Sequence, residues 1–192
     1  MTIQNFSFFK KPITNKRPFR TVNLYQVYLV IKSHIYEGVI KKLRSINNKD
    51  EQRKFKCKNL DFLTPSGTFS YHSDNSLIQH SGILCVDLDH LQDVEGTKRR
   101  LLDDEGFDSL LVFRSPCGDG LKWFIAIDLD ICDHKTWFKA VRNYLLLTYG
   151  LTEKQVDKSC SNVSKACYLS HDPDAYFNRK LFKLLYLVKD EK

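Results

Sequence analysis

One short apolar run constrains the fold more than any other part of the chain. Residues 82–88 read GILCVDL, and Asp87 is the only charged residue among them. A run of this kind is typical of a strand covered on both faces, so we expect a central strand of a sheet. At 192 residues, with 42% of them hydrophobic, the chain is long enough to bury the core that such a strand needs.

The segments around this strand predict a mixture of strands and helices. Strands are predicted at 4–9, 109–114, 121–128 and 183–188, and as a pair within 60–72 around a turn at 65–67. Helices are predicted at 24–45, at 93–105, and from the N-cap Asp133 to about Tyr149. This order predicts an α+β fold with a sheet packed on helices. A doubly wound nucleotide-binding fold is excluded, because neither a P-loop nor G-x-G-x-x-G follows the first strand.

Two carboxylates stand at the end of the apolar strand, in the tripeptide Asp87-Leu88-Asp89. Alternate side chains of a strand share a face, so Asp87 and Asp89 point the same way, roughly 7 Å apart at their roots. Such a pair repels itself unless a cation lies between, and a hard divalent ion such as Mg²⁺ or Mn²⁺ prefers oxygen ligands. The alternative is that the strand ends here and both acids meet water.

The loop at 114–122 reads RSPCGDGLK, and its residues are candidates for binding an anion. Gly118 and Gly120 allow a tight turn that presents N–H groups, and Ser115 can donate its hydroxyl. Lys122, on the next strand, can place its ammonium on a phosphate. The alternative is an ordinary hairpin loop with a solvated lysine.

Two later segments add polar candidates. Asp157 follows Val156 and can complete a metal site as a third carboxylate. The segment 159–178 is rich in small polar donors that are plausible sugar or phosphate ligands, and each is also typical of an ordinary loop. They are Ser161, Asn162, Ser164, Lys165, Ser170 and His171.

Positive charge is concentrated near the N-terminus. The chain has a formal net charge of +7, which permits a polyanionic partner but does not require one. The segment 41–58 is either a solvated surface or a contact surface for nucleic-acid phosphates. Its candidate residues are Lys41, Lys42, Arg44, Arg53, Lys54, Lys56 and Lys58.

The cysteines and the hydropathy pattern indicate a cytoplasmic protein. The six cysteines contain no C-x-x-C pair and no zinc-finger spacing, so we expect reduced thiols and no zinc. The start of the chain has no signal-peptide pattern. No apolar stretch is long enough for a membrane span.

Taken together, three ordered motifs resemble the archaeo-eukaryotic primase superfamily, also called primase-polymerases. They are ILCVDLD at 83–89, SPCGDGLK at 115–122 and VD at 156–157. The chain looks most like the primase-like N-terminal domain of replication proteins of mobile elements and phages, over roughly residues 5–188. Many members carry a histidine where this chain has Lys122, and some carry a zinc module that is absent here.

The resemblance implies both a fold and an activity. It implies one domain over 1–192, with a basic helical unit at 1–60 packed beside a catalytic core at 61–190 that has a sheet of the RNA-recognition-motif type. Asp87, Asp89 and Asp157 would bind Mg²⁺ or Mn²⁺, and residues of the 114–122 loop would hold an NTP or dNTP. The template would be single-stranded DNA, and a helicase would be a partner or a fused domain.

The implied activity is that of a DNA primase-polymerase, which transfers nucleotides under the direction of a template. Two other functions are weighed against it. In the first, the same fold binds nucleic acid or nucleotide for a helicase without efficient catalysis, a reading prompted by Lys122. In the second, the chain is a rolling-circle nuclease, which needs an H-x-H pair. The six histidines contain no such pair, so the nuclease is excluded.

Overall fold

The computed structural model of the chain describes residues 4–180, and its fold is α+β. The predicted strand at 183–188 lies outside the described residues. The strands are β1 (Asn5–Phe9), β2 (Arg20–Asn23), β3 (Phe62–Thr64), β4 (Gly67–Phe69), β5 (Leu77–His80), β6 (Ile83–Leu88), β7 (Ser109–Arg114), β8 (Leu121–Ala126), β9 (Cys167–Tyr168) and β10 (Tyr176–Phe177). The helices are α1 (Leu24–Lys32), α2 (Glu37–Arg44), α3 (Lys49–Asn59), α4 (Val94–Leu102) and α5 (His134–Thr148).

Two four-stranded antiparallel sheets organise these elements. The N-terminal sheet has the order β2-β1-β3-β9, and the second sheet has the order β10-β7-β8-β6. Strands β4 and β5 form a separate two-stranded ribbon. The second sheet carries the strand that the sequence singles out, and an RNA-recognition-motif type of sheet remains an expectation.

The second sheet is buried on both faces. Side chains of β6 alternate between two cores: Cys85 packs in the core shared with the N-terminal sheet and α1. Val86 packs in the core shared with α4 and α5. This alternation is the period of two that a strand imposes, and all six residues of β6 are buried.

The position of β6 differs from the prediction of a central strand. Among residues 4–180 it pairs along its length only with β8, at the edge of the sheet. Its other side meets the chain at an isolated bridge between Leu88 and Val156. The N-terminal sheet and α1 cover one face of β6, and α4 and α5 cover the other. The apolar run therefore indicates that both faces are buried, and not that the strand is paired on both sides.

The helix predicted over 24–45 is interrupted at Ser33. Ser33 has an extended backbone with φ −75° and ψ 165°, and its hydroxyl donates to the carbonyl of Val30 at 2.7 Å. Serine competes for backbone partners in this way and favours helix ends. A 3-10 turn at His34–Tyr36 then leads into α2.

The strand pair predicted within 60–72 is also corrected. Both strands are present, but β3 pairs with β1 and β9, whereas β4 pairs with β5. The turn between them therefore redirects the chain from one sheet to another.

Other elements confirm the predictions. Helix α5 begins after Asp133, whose carboxylate accepts from the N–H of Thr136 at 2.7 Å, and it buries Phe138, Val141 and Leu145. Strands β1, β7 and β8 and helix α4 lie within the predicted segments. None of the helices within residues 4–180 has both the length and the apolar composition needed to cross a bilayer.

Candidate active site

Three carboxylates converge at the end of β6. Asp87 follows Cys85 by two residues and shares its face, which looks toward the N-terminal sheet. Asp89 lies just beyond the strand. One carboxylate oxygen from each of Asp87, Asp89 and Asp157 lies within 4.8 Å of the other two. The structure therefore brings together the three aspartates that the sequence named as candidate metal ligands.

Backbone hydrogen bonds place Asp157 in this cluster. The N–H of Asp89 donates to the carbonyl of Gln155 at 2.9 Å, and the N–H of Asp157 donates to the carbonyl of Asp87 at 3.0 Å. Residues 155–157 thus extend the open edge of β6 for a short distance. The edge position of β6 is therefore what allows a third acid to reach the first two.

Lys122 neutralises Asp87 inside the protein. The two residues are register partners on β8 and β6, and the ammonium of Lys122 forms an ion pair with the carboxylate of Asp87. Lys122 is 5% exposed and Asp87 is 7% exposed. Burial lowers the pKa of Lys122, but the negative charge of Asp87 outweighs it and holds that pKa above its usual value. The lysine is charged and held at the acidic cluster.

Lys165 forms a similar ion pair with Asp157. Its ammonium donates to Asp157 Oδ2 at 2.5 Å and also to the hydroxyl of Ser159. Burial alone raises the pKa of Asp157, but hydrogen bonds from Lys165 and Ser159 outweigh it and lower the pKa to about 2. Asp157 is therefore ionised at neutral pH, beside a second fixed cation.

Asp89 lacks such a partner. Among residues 4–180, no hydrogen bond or ion pair involves its carboxylate. Burial raises the pKa of Asp89, and the nearby charge of Asp87 raises it further. A carboxylate in this position gains from any cation that enters the cluster.

A cleft of about 110 Å³ opens over the cluster. All three aspartates line it, and the remaining lining residues include Lys56, Ser115, Lys122, Lys165 and Tyr168. This volume is sufficient for a few water molecules, or for a partly hydrated cation with one phosphate group. Tyr168 is a residue that sequence reasoning did not single out, because nothing local marks it.

Ser115 belongs to the cleft, whereas the two glycines shape its wall. Gly118 has φ +88° and donates its N–H to the carbonyl of Ser115 at 2.9 Å. A Cβ at Gly120 would overlap the backbone carbonyl of Leu88. These glycines close the loop tightly against the end of β6, and the N–H of Gly118 is used within the loop.

Two arginines hold the same loop from outside. Arg44 donates to the carbonyl of Pro116 at 3.1 Å and to that of Ser115 at 3.2 Å. Arg114 pairs with Glu95 at 2.7 Å and donates to the carbonyl of Gly118 at 3.3 Å. Neither arginine lines the cleft. In this structure both guanidinium groups support the loop.

The remaining basic candidates lie on α2 and α3. Lys56 reaches the cleft, with its ammonium 5.4 Å from the centre of the Tyr168 ring. Lys41 pairs with Glu37 at 2.7 Å, and Lys42 lies 5.7 Å from the centre of the Phe55 ring. Lys49, at the start of α3, pairs with Asp119 at 3.4 Å, whereas three other exposed cations of this helix form no ion pair within residues 4–180. These are Arg53, Lys54 and Lys58.

Two polar atoms at the cleft are buried without a partner. Oδ1 of Asp87 and Oγ of Ser115 have no hydrogen-bond partner within the described part of the chain. An orphaned buried oxygen costs about 1–3 kcal/mol, so it marks a position where a ligand would be favourable. A hard divalent cation fits a set of oxygen donors that includes Asp87 Oδ1.

The sequence matches the model of the BT4734-like, N-terminal domain family over residues 55–177, so the chain belongs to this family. No curated protein matches the chain. A solved structure similar to it is the polymerase domain from Mycobacterium tuberculosis Ligase D in complex with DNA, at 17% sequence identity and a TM-score of 0.33. That similarity covers 57% of this chain and 44% of the other.

Proposed function

We propose that this chain is a metal-dependent nucleotidyltransferase that acts as a DNA primase-polymerase. The observation that carries the proposal is the convergence of Asp87, Asp89 and Asp157, within 4.8 Å, at a cleft where Asp87 Oδ1 is buried without a hydrogen bond. The order of the three motifs, which resembles that of primase-polymerases, supports the same conclusion.

The aspartates would hold one or two Mg²⁺ or Mn²⁺ ions. Such ions neutralise a triphosphate and increase the reactivity of a 3′-hydroxyl. In the reaction, the 3′-hydroxyl of the primer or first nucleotide would lose its proton to water, and its oxygen would bond to the α-phosphorus of the incoming NTP or dNTP. The bond to the β-phosphate breaks, and pyrophosphate leaves.

The other cleft residues would bind the triphosphate. The unpartnered hydroxyl of Ser115 is free to donate to a phosphate oxygen. Lys56 and Lys165 line the cleft, and their ammonium groups can offset phosphate charge. The ring of Tyr168 offers a face on which a sugar or base can pack.

A single-stranded DNA template would follow α3, beside the cleft. The exposed cations Arg53, Lys54 and Lys58 lie on this helix, and Lys56 on the same helix reaches the cleft. A DNA strand bound along this helix would place its bases near the three aspartates. A helicase partner, and a role in replicating a mobile element or phage, complete the proposal.

The ion pair between Lys122 and Asp87 favours a second candidate function. A buried ammonium already occupies one side of Asp87 and can substitute for a metal ion in neutralising it. In that case the same cleft binds nucleotide or DNA for a helicase without transferring nucleotides.

A primer-extension assay separates the two functions. Single-stranded DNA, with and without a primer, is incubated with NTPs or dNTPs and with Mg²⁺, Mn²⁺ or EDTA. Asp89→Asn is the variant that removes a proposed metal ligand. It is preferred to a substitution of Asp87 because Asp89 forms no ion pair among the described residues, whereas Asp87 neutralises the buried Lys122. If the chain is a polymerase, the unmodified protein should form extended product only with a metal ion, and the amount should fall by orders of magnitude in Asp89→Asn. Intact nucleotide binding without any product would establish the binding module instead.

A further inference from the structure

A second group of possible metal ligands lies away from the acidic cleft. His34, Glu37 and His171 each offer one ligand atom, and these atoms lie within 4.8 Å of one another. His34 and Glu37 are one helical turn apart, at the 3-10 turn and the start of α2. His171 comes from the segment between β9 and β10. None of the three lines the cleft.

The backbone holds these residues together. The N–H of Asp172 donates to the carbonyl of Ile31 at 3.0 Å, and Nδ1 of His171 is 2.8 Å from the carbonyl of Ser33. The segment at 171–172 is thus fixed to the end of α1 at two adjacent points. The position of His171 beside His34 follows from these bonds and not from an ion.

Hydrogen bonds also orient the three side chains. A carbonyl oxygen only accepts, so Nδ1 of His171 carries the proton, and Nε2 of the neutral ring has the lone pair. Metal-binding histidines have this arrangement, in which the other ring nitrogen donates to a carbonyl or carboxylate. Glu37 accepts from Lys41 through Oε1 at 2.7 Å and from Nδ1 of His34 through Oε2 at 2.8 Å, so a bound ion would replace the proton that His34 and Glu37 share.

Although the cysteine spacing predicts no zinc, we propose that His34, Glu37 and His171 form a binding site for a zinc-type transition metal ion. Two imidazoles and one carboxylate are a ligand set that Zn²⁺ and Co²⁺ accept, whereas Mg²⁺ prefers oxygen ligands alone. The side chain of His34 is 84% exposed, which leaves room for water as a fourth ligand. The ion would tie the helical N-terminal unit to the 171–172 segment, independently of nucleotidyl transfer.

The test is a titration of the metal-free full chain with Co²⁺, followed by absorption spectroscopy, and then by displacement with Zn²⁺. The parent protein carries Asp89→Asn, which disrupts the acidic cluster. The proposal predicts one ion per chain with the strong visible absorption of tetrahedral cobalt. His34→Gln/His171→Gln should lower the affinity by at least about tenfold, and Glu37→Gln should lower it as well.

His90→Gln is the matched control, because His90 is also exposed and pairs with a carboxylate, that of Asp119. Its affinity for Co²⁺ should equal that of the parent. Circular dichroism checks that each variant is folded, and Zn²⁺ should raise the melting temperature of the parent but not that of the double histidine variant. Equal affinity in parent and double variant, or no binding by the parent, would overturn the proposal and would leave His34 and Glu37 as a surface ion pair.

Discussion

The buried ion pair between Lys122 and Asp87 predicts that Lys122→Met destabilises the protein strongly when no metal is present. Methionine retains most of the apolar stem of the lysine but leaves the carboxylate of Asp87 buried without a counter-charge. The two residues are 5% and 7% exposed, so water does little to compensate. Removing one partner of a buried pair costs roughly 3–5 kcal/mol.

The effect is large enough to measure by thermal unfolding in EDTA. In a chain of this size each kcal/mol shifts the melting temperature by about 2–4 °C, so we expect a fall of roughly 6–20 °C. Asp87→Asn combined with Lys122→Met removes both charges and should recover most of this loss. A double-mutant cycle of Lys122→Met, Asp87→Asn and the combined variant then gives the coupling energy of the pair.

Divalent cations extend the test to the proposed metal site. At about 100 times its dissociation constant, a bound ion stabilises the folded state by about 2.7 kcal/mol. Mn²⁺ should stabilise Lys122→Met more than the unmodified protein, because the ammonium no longer competes for Asp87. A variant with unchanged stability in EDTA, or with no added response to Mn²⁺, would refute this reasoning.

Three further predictions concern the loop, the buried histidines and the basic helix. Gly120→Ala should destabilise the protein by about 1–3 kcal/mol in urea unfolding, because the added methyl group would overlap the backbone at the end of β6. Gly38→Ala is the control and should be neutral or stabilising, because a methyl group there has nothing within 4 Å. Burial first, and a neighbouring imidazole second, lower the pKa of His80 from 6.5 to about 4, so the unfolded chain takes up the proton first as the pH falls through this window. Stability should therefore fall by about 1–2 kcal/mol, allowing for partial exposure, and His80→Gln should flatten the pH profile. Replacing Lys54 and Lys58 with glutamine should lower the salt slope of single-stranded DNA binding by about 1.4; an unchanged slope would make this helix an ordinary solvated surface.

The sequence predicts the parts of the site that depend on local periodicity. The apolar run predicts β6, and the period of two places Asp87 and Asp89 on one side of the chain. Asp133 predicts the start of α5 because a helix cap is a local feature. In each case the information lies within a few residues of the element it describes.

The remaining features depend on contacts between distant segments. Asp157 enters the cluster only because β6 is an edge strand, and the apolar run predicts burial but not pairing. The contact between Lys122 and Asp87 depends on the register of β6 and β8. Arg44 contributes to the charged segment at 41–58, but its bonds to Ser115 and Pro116 come from packing between elements about seventy residues apart.

The most direct test of the central claim is whether the three aspartates bind a divalent cation. Free Mn²⁺ is counted by electron paramagnetic resonance during a titration of the unmodified protein and of Asp89→Asn, each with a non-hydrolysable nucleotide. We predict that the unmodified protein removes one or two ions per chain from solution, and that the variant binds at least about tenfold more weakly. Equal binding by both proteins would contradict a metal site at Asp87, Asp89 and Asp157.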